Sequence, residues 1–325
     1  MSQTARIPPF SELCPLRMLD DGFSSSLKNQ LTKEKYMNTK AYEKITDRII
    51  ALLEQGGVPW RKTWKASTSW PRNFVTGKPY RGINVFLLVA LGYESPYWLT
   101  FRQAMRLGGS VKKGEKSSPV VFWKKTTIQD EETKEERKIP LLRFYHLFNV
   151  AQCENIGKAA SNDGMVASLR KPAEIVAGMP TPPVIKLGLT RAYYSLPDDT
   201  VGMPSPEKFD KEEDYYATLF HELVHSTGHE KRLKRQSLAE NGGFGTDPYC
   251  REELVAEMGA TFLCGQAEIA ERTIDNSAAY IDSWLKQLKS DKTILVQAAA
   301  QGQKAADYIL NLKSPPEGGE DGIKG

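Results

Sequence analysis

Phe220-His221-Glu222-Leu223-Val224-His225-Ser226-Thr227-Gly228-His229 is the stretch on which the reading of the chain turns. It has the form H-E-x-x-H. On a helix, positions i and i+4 share a face with side chains roughly 6 Å apart, the separation two ligands of one metal ion require. Glu222, beside the first imidazole, is not a ligand in this pattern; it stands where it can take a proton from a water that the metal activates. The chain has four His, and three of them fall inside this stretch. The surroundings favour a helix. Asp210 with Glu213 three residues on predicts an N-cap and capping box. Leu219, Leu223 and Val224 give an apolar flank, and Gly228 is expected to end the helix in a left-handed cap.

Two His leave a catalytic site one protein ligand short. Downstream, Asp247-Pro248 marks a helix start that predicts a helix to Cys264, stopped by Gly265. It carries Glu252, Glu253 and Glu257. Glu253 and Glu257 are i and i+4, which suits Glu253 as third ligand and Glu257 as the carboxylate that orients a ligand imidazole. Glu252 is the runner-up as ligand. His229 is the rival, as ligand or substrate contact, although a third His at the metzincin position is replaced by Lys231. His229 and Tyr249 are also the candidates for an oxyanion-side donor.

Working outward, residues 37–155 carry a net charge of +9 and residues 156–325 one of −6, within a total of +4. A basic half joined to an acidic half suggests a polyanion binder attached to something else. The basic half interleaves aromatic and cationic residues: Trp60-Arg61-Lys62-Thr63-Trp64, then Arg72-Asn73, then Lys78-Pro79-Tyr80-Arg81-Gly82-Ile83-Asn84, and the turn Lys112-Lys113-Gly114-Glu115-Lys116. Such a surface suits single-stranded nucleic acid, with aromatic faces under unpaired bases and cations along phosphates. The same aromatics would serve equally as core anchors. A helix is expected to open at Met37, capped by Asn38 or Thr39, with Ile45 and Ile49 in its apolar stripe, and another over Thr100–Leu107. Residues 124–138 read as a hairpin tip, and His146, in a strand, as a packed side chain.

Four Cys without C-x-x-C spacing favour a reducing compartment. The leader has no apolar core of a signal peptide, and the longest apolar run, Ile83 to Leu91, contains Asn84 and is too short to span a bilayer. The expected location is the cytoplasm, with no membrane partner.

Taken together, Val58-Pro59-Trp60-Arg61-Lys62-x-Trp64, Asn73-x-x-Thr76-Gly77-Lys78-x-Tyr80-Arg81-Gly82-Ile83-Asn84, Trp98-x-Thr100-x-x-Gln103-Ala104, Val111-x-Lys113-Gly114-Glu115-Lys116, His221 to His229 and Glu252-Glu253-Leu254-Val255-Ala256-Glu257 resemble the ArdC-type antirestriction proteins of conjugative plasmids. The resemblance covers residues 38–312. It implies an α+β chain of two domains, a single-stranded-DNA-binding domain followed by a mainly helical zincin-like metallopeptidase domain. It also implies protection of incoming plasmid or phage DNA from host restriction. The expected division is a disordered leader 1–36, a DNA-binding domain 37–155, a linker 156–180, a metallopeptidase domain 181–314 and a flexible tail 315–325. Zn²⁺ is the expected ion, with Mn²⁺ or another divalent metal admissible, and an unidentified protein the substrate. Two rivals stand beside this reading: a DNA-coating protein with a structural or vestigial metal site, and, less favoured, a metallo-nuclease.

Overall fold

The computed structural model describes residues 25–55, 70–129, 136–157, 170–235, 247–269 and 277–312. The expectations on Trp60, Arg61, Lys62 and Trp64, on the hairpin tip itself, on the start of the leader and on the tail lie outside the described residues. The first element, α1 (Ser25–Glu54), begins well ahead of Met37. Asn38 and Thr39 therefore lie inside the helix rather than capping it, and residues 25–36 of the expected leader are helical. The cause is visible in the segment, which has no Gly or Pro from Ser25 to Glu54. Ile45, Ile49 and Leu53, one helical turn apart, are buried as their spacing predicts.

The N-terminal half then runs β1 (Arg72–Asn73), α2 (Ile83–Val89), β2 (Tyr97–Thr100), α3 (Phe101–Arg106), β3 (Ser110–Val111), β4 (Ser118–Gln129), β5 (Glu136–Asn149) and β6 (Cys153–Glu154). One sheet has the order β1-β2-β5-β4, and β3 pairs with β6. The β4–β5 hairpin is antiparallel, with Val120 opposite Tyr145. Thr100 and Gln103 form a reciprocal capping box that starts α3. His146 is exposed, its Nδ1 3.0 Å from Ser117 Oγ, rather than packed inside. At the sheet edge, Asn84 does the work of a neighbouring strand. Its amide donates to Val121 O at 2.7 Å and accepts from Val121 N at 2.8 Å.

The C-terminal half holds α4 (Pro172–Ala177), β7 (Val184–Lys186), β8 (Tyr193–Ser195), β9 (Thr200–Gly202), α5 (Glu212–Thr227), α6 (Asp247–Ala267), α7 (Ser277–Ser290) and α8 (Ile294–Ile309). The small sheet has the order β7-β9-β8. Two expectations are corrected. The linker 156–180 contains α4, whose Ile175 is in the core. And α6 runs past Gly265, because that glycine is a seat for Trp70: a Cβ there would lie 2.0 Å from the indole ring.

The largest hydrophobic cluster spans both halves, while the N-terminal sheet has two smaller clusters of its own around Trp98 and Leu99. Ile49 of α1 and Phe86 of α2 belong to the same buried cluster as Phe220 of α5, Val255 of α6 and Ala299 of α8. Phe86 stacks on Phe262 of α6 with ring centroids 5.1 Å apart, and Trp70 lies 5.9 Å from the same ring. Arg81 pairs with Asp307 of α8, and Gly82 N–H donates to Gln303 Oε1 at 3.0 Å. No helix among the described residues is long and apolar enough to cross a membrane.

Close helix contact sets the frame for the site. A Cβ on Gly302 of α8 would lie 2.9 Å from the backbone N of Gly259 and 3.0 Å from Val255 O, both in α6. Backbone cannot yield as a flexible side chain can. Gly302→Ala is therefore expected to cost about 1–3 kcal/mol, read as a lower urea midpoint with unchanged slope.

Candidate metal centre

Helix α5 starts after Lys211, so Asp210 is not its cap. Instead Glu212, Glu213 and Asp214 put negative charge on the first turn, where the helix dipole favours it. At the other end Gly228 is right-handed, φ −72° and ψ −12°, not the expected left-handed cap. The chain keeps turning and folds back on the helix end: Leu233 N–H donates to Thr227 O at 2.8 Å and Arg235 N–H to Gly228 O at 2.9 Å. Arg232 Nε donates to Ser226 O at 2.6 Å, and Arg235 to Val224 O at 2.8 Å. Two guanidinium groups thus satisfy carbonyls that a helix end leaves open.

This returning loop fixes the site. His221 and His225 are buried on one face of α5 with their Nε2 atoms 3.1 Å apart. Glu253 of α6 faces both, its Oε2 3.4 Å from His221 Nε2 and its Oε1 3.5 Å from His225 Nε2. The three donor atoms lie within 4.8 Å of one another, a group that can hold a divalent metal ion. The donor set fits the ion chemically, since two basic nitrogens and one carboxylate oxygen converge in a buried place. His229 stands apart from this group; its Nδ1 accepts from Lys231 N–H at 3.1 Å.

The carboxylate that lies against the far nitrogen of His225 is Glu252, where Glu257 was expected. Glu252 Oε1 lies 3.4 Å from His225 Nδ1, and Arg235 holds the same carboxylate, with Nε 3.1 Å from Oε2. Glu257 lies buried further along α6. Spacing alone missed Arg235; its only trace in the sequence is its place in the basic run Lys231-Arg232-Leu233-Lys234-Arg235 after the motif. Arg232, three residues earlier, is bound to Asp199 and reaches the Tyr194 hydroxyl at 3.3 Å. The backbone of Tyr194, in β8, in turn hydrogen-bonds the Glu222 carboxylate.

Protonation follows from these contacts. Burial opposes charge on His225, yet its hydrogen bonds to Glu252 and Glu253 raise its pKa to about 10. Burial pushes Glu252 up, but the Arg235 and His225 charges hold it at about 2. Burial also acts upward on Glu253, and the two imidazoles outweigh it and lower it. For Glu222 burial wins over the imidazoles and raises its pKa. That suits a group that must both take and release a proton.

The expected nucleic-acid residues divide. Lys112, Lys113 and Lys116 are exposed, and Arg72 and Lys78 are half-buried. Asn73, Tyr80 and Asn84 are buried, so the expectation that they face nucleic acid is corrected. Asn73 builds a turn by accepting from Val75 N–H at 3.0 Å and Thr76 N–H at 2.9 Å. Burial raises the Tyr80 hydroxyl pKa. Arg81 is engaged by Asp307.

Residues 39–148 match the N-terminal domain of anti-restriction factor ArdC, and residues 179–301 match a zincin-like metallopeptidase family. The chain is similar to the crystal structure of the antirestriction ArdC protein from plasmid R388 in its metal-free form, with 38% identity and a TM-score of 0.69, covering 84% of this chain and 98% of that one. The Mn(II)-bound form of that protein matches with 37% identity and a TM-score of 0.67, over 83% and 97% of the two chains. An uncharacterised protein y4eC of Sinorhizobium fredii is 32% identical, over 87% of this chain and 95% of that one. A DNA primase TraC of Escherichia coli is 32% identical over 83% of this chain, which spans only 27% of the primase.

Metal binding must displace the proton that His225 holds below about pH 10. The pKa of His221 is raised as well, so affinity for a divalent ion is expected to rise with pH, with protons released from the imidazoles as the ion binds. Calorimetry in buffers of different ionisation enthalpy reads both. Glu252→Gln is expected to lower metal affinity about 10- to 100-fold, measured by competition with a chelating dye.

Proposed function

The chain belongs to the ArdC-type antirestriction family, and on that premise we propose that it is a metal-dependent peptidase whose N-terminal half binds single-stranded DNA. Its role is to protect incoming plasmid or phage DNA from host restriction, and an unidentified protein is its substrate. The observation that carries the reading is Glu222: a carboxylate with a raised pKa, buried beside two imidazoles and held by the Tyr194 backbone. A purely structural metal site needs no such group and is closed by four protein ligands. Among the described residues the converging donors are three, His221, His225 and Glu253. Zinc suits two nitrogens and one oxygen; manganese, the ion bound by the R388 protein, is the alternative.

When bound, the ion lowers the pKa of a water toward about 7 and polarises the substrate carbonyl. Glu222 accepts the proton of the attacking water and passes it to the departing amine nitrogen. Glu252 and Arg235 keep the His225 ring in place throughout, and Tyr194 does the same for Glu222.

The test is peptide-bond cleavage in a cell extract by wild type and Glu222→Gln, each loaded with metal, with and without single-stranded DNA, and products read by mass spectrometry. New termini are expected from wild type alone, more of them with DNA present, with the variant slower by about 10²–10⁴-fold. Identical products from both proteins, together with tight DNA binding, would establish the coating protein instead.

A further inference from the structure

The described part of the N-terminal half carries a surface that composition did not single out. Helix α3 buries Gln103 and Ala104 and turns its other residues outward. Phe101 is 53% and Met105 54% exposed, with Arg102 and Arg106 exposed beside them. Positions i, i+1, i+4 and i+5 lie on one side of a helix, so these four side chains form one patch. Two large apolar groups facing water forgo the stabilisation that burial gives. Neither guanidinium has an ion pair among the described residues, although both are free to reach for one.

The patch is built on a rigid base. Gln103 Oε1 accepts from Thr100 N–H at 2.9 Å in the capping box, and the Asn73 amide reaches the same oxygen at 3.4 Å. Asn73 also fixes the turn that presents Val75, 40% exposed. Cations follow it along the chain, while the exposed Glu154, 3.2 Å from Ser110 Oγ, is the acid across the β3–β6 pair. Between Glu94 and Glu115 the chain has no acidic residue, and beyond Arg106 it leads through Gly108 and Gly109 to exposed Lys112 and Lys113. Glu115, the first acid met, is bonded to Gln152 Nε2 at 2.8 Å.

An aromatic ring and a thioether between two arginines match an unpaired base flanked by phosphates. We propose that the outward face of α3 is a single-stranded nucleic-acid contact, with Phe101 stacking on a base and Arg102 and Arg106 following the backbone. The proposal rests on the reading of the N-terminal half as a DNA-binding unit and names where the strand lies. An acidic protein partner would meet the same side chains, and wild-type DNA affinity in every variant is the outcome that would favour it.

The experiment uses the full chain and a fluorescein-labelled oligo(dT), with anisotropy read across a salt series. Wild type, Phe101→Ala, Phe101→Tyr and the double variant Arg102→Gln/Arg106→Gln are compared, and unchanged urea midpoints verify that all are folded. Phe101→Ala is expected to weaken binding about tenfold, and Phe101→Tyr to restore it. The double variant is expected to reduce the salt slope by about 1.4. Wild-type affinity and slope in every variant would place the strand elsewhere and overturn the proposal. Failure of wild type itself to bind oligo(dT) would overturn the DNA-binding reading together with it.

Discussion

Two adjacent carboxylates, buried Glu252 and partly buried Glu253, lie on one turn of α6 against the imidazoles of α5, and the C-terminal half is arranged to tolerate that charge. An unpaired ion in such a place costs several kcal/mol after relaxation. Arg235 answers Glu252, and the imidazoles answer Glu253. The loop that delivers Arg235 is the one that closes the end of α5, so the same residues satisfy helix carbonyls and balance the site. Arg232 repeats the device on the opposite side, tying Asp199 and Tyr194 to the helix end. One guanidinium thus leads to a metal-facing imidazole, and the other to the strand that holds Glu222.

How much of this was legible in the residues varies with the range of the interaction. His221, Glu222 and His225 follow from the 3.6-residue period alone. Glu253 was reachable because a third ligand was required and a carboxylate-bearing helix followed. The choice between Glu252 and Glu257 was not, since it depends on how α6 is rotated against α5. Glu253 and Glu257 share a face, but the far nitrogen of the His225 ring points to the neighbouring face, where Glu252 lies. Gly228 was misread for a related reason: a glycine after a helix predicts a left-handed turn only when nothing downstream returns to bind the open carbonyls.

The aromatic and basic half shows the opposite failure. Composition identified residues with the right chemistry for nucleic acid but carried no information on which side of the backbone they fall. Tyr80 and Asn84 are interior, and Asn84 completes a sheet edge. Phe101 and Met105 lie in a helix whose short length gives little periodicity to read. The division into two domains was drawn where polar residues cluster, yet α4 and the helices around it pack into a core that crosses that line.

That common core has a consequence for mass action. Because Ile49 of α1 and Phe86 of α2 are packed in the same cluster as Phe220 and Val255, these two N-terminal helices are expected to unfold together with α5 and α6. A ligand that binds only the folded form stabilises whatever unfolds with its site, by an amount set by its concentration relative to its dissociation constant. An ion held by His221, His225 and Glu253, as proposed, would therefore stabilise helices that make no contact with it. By the same linkage, a polymer bound to the N-terminal face would raise the apparent affinity for the ion only where the folded form is partly populated.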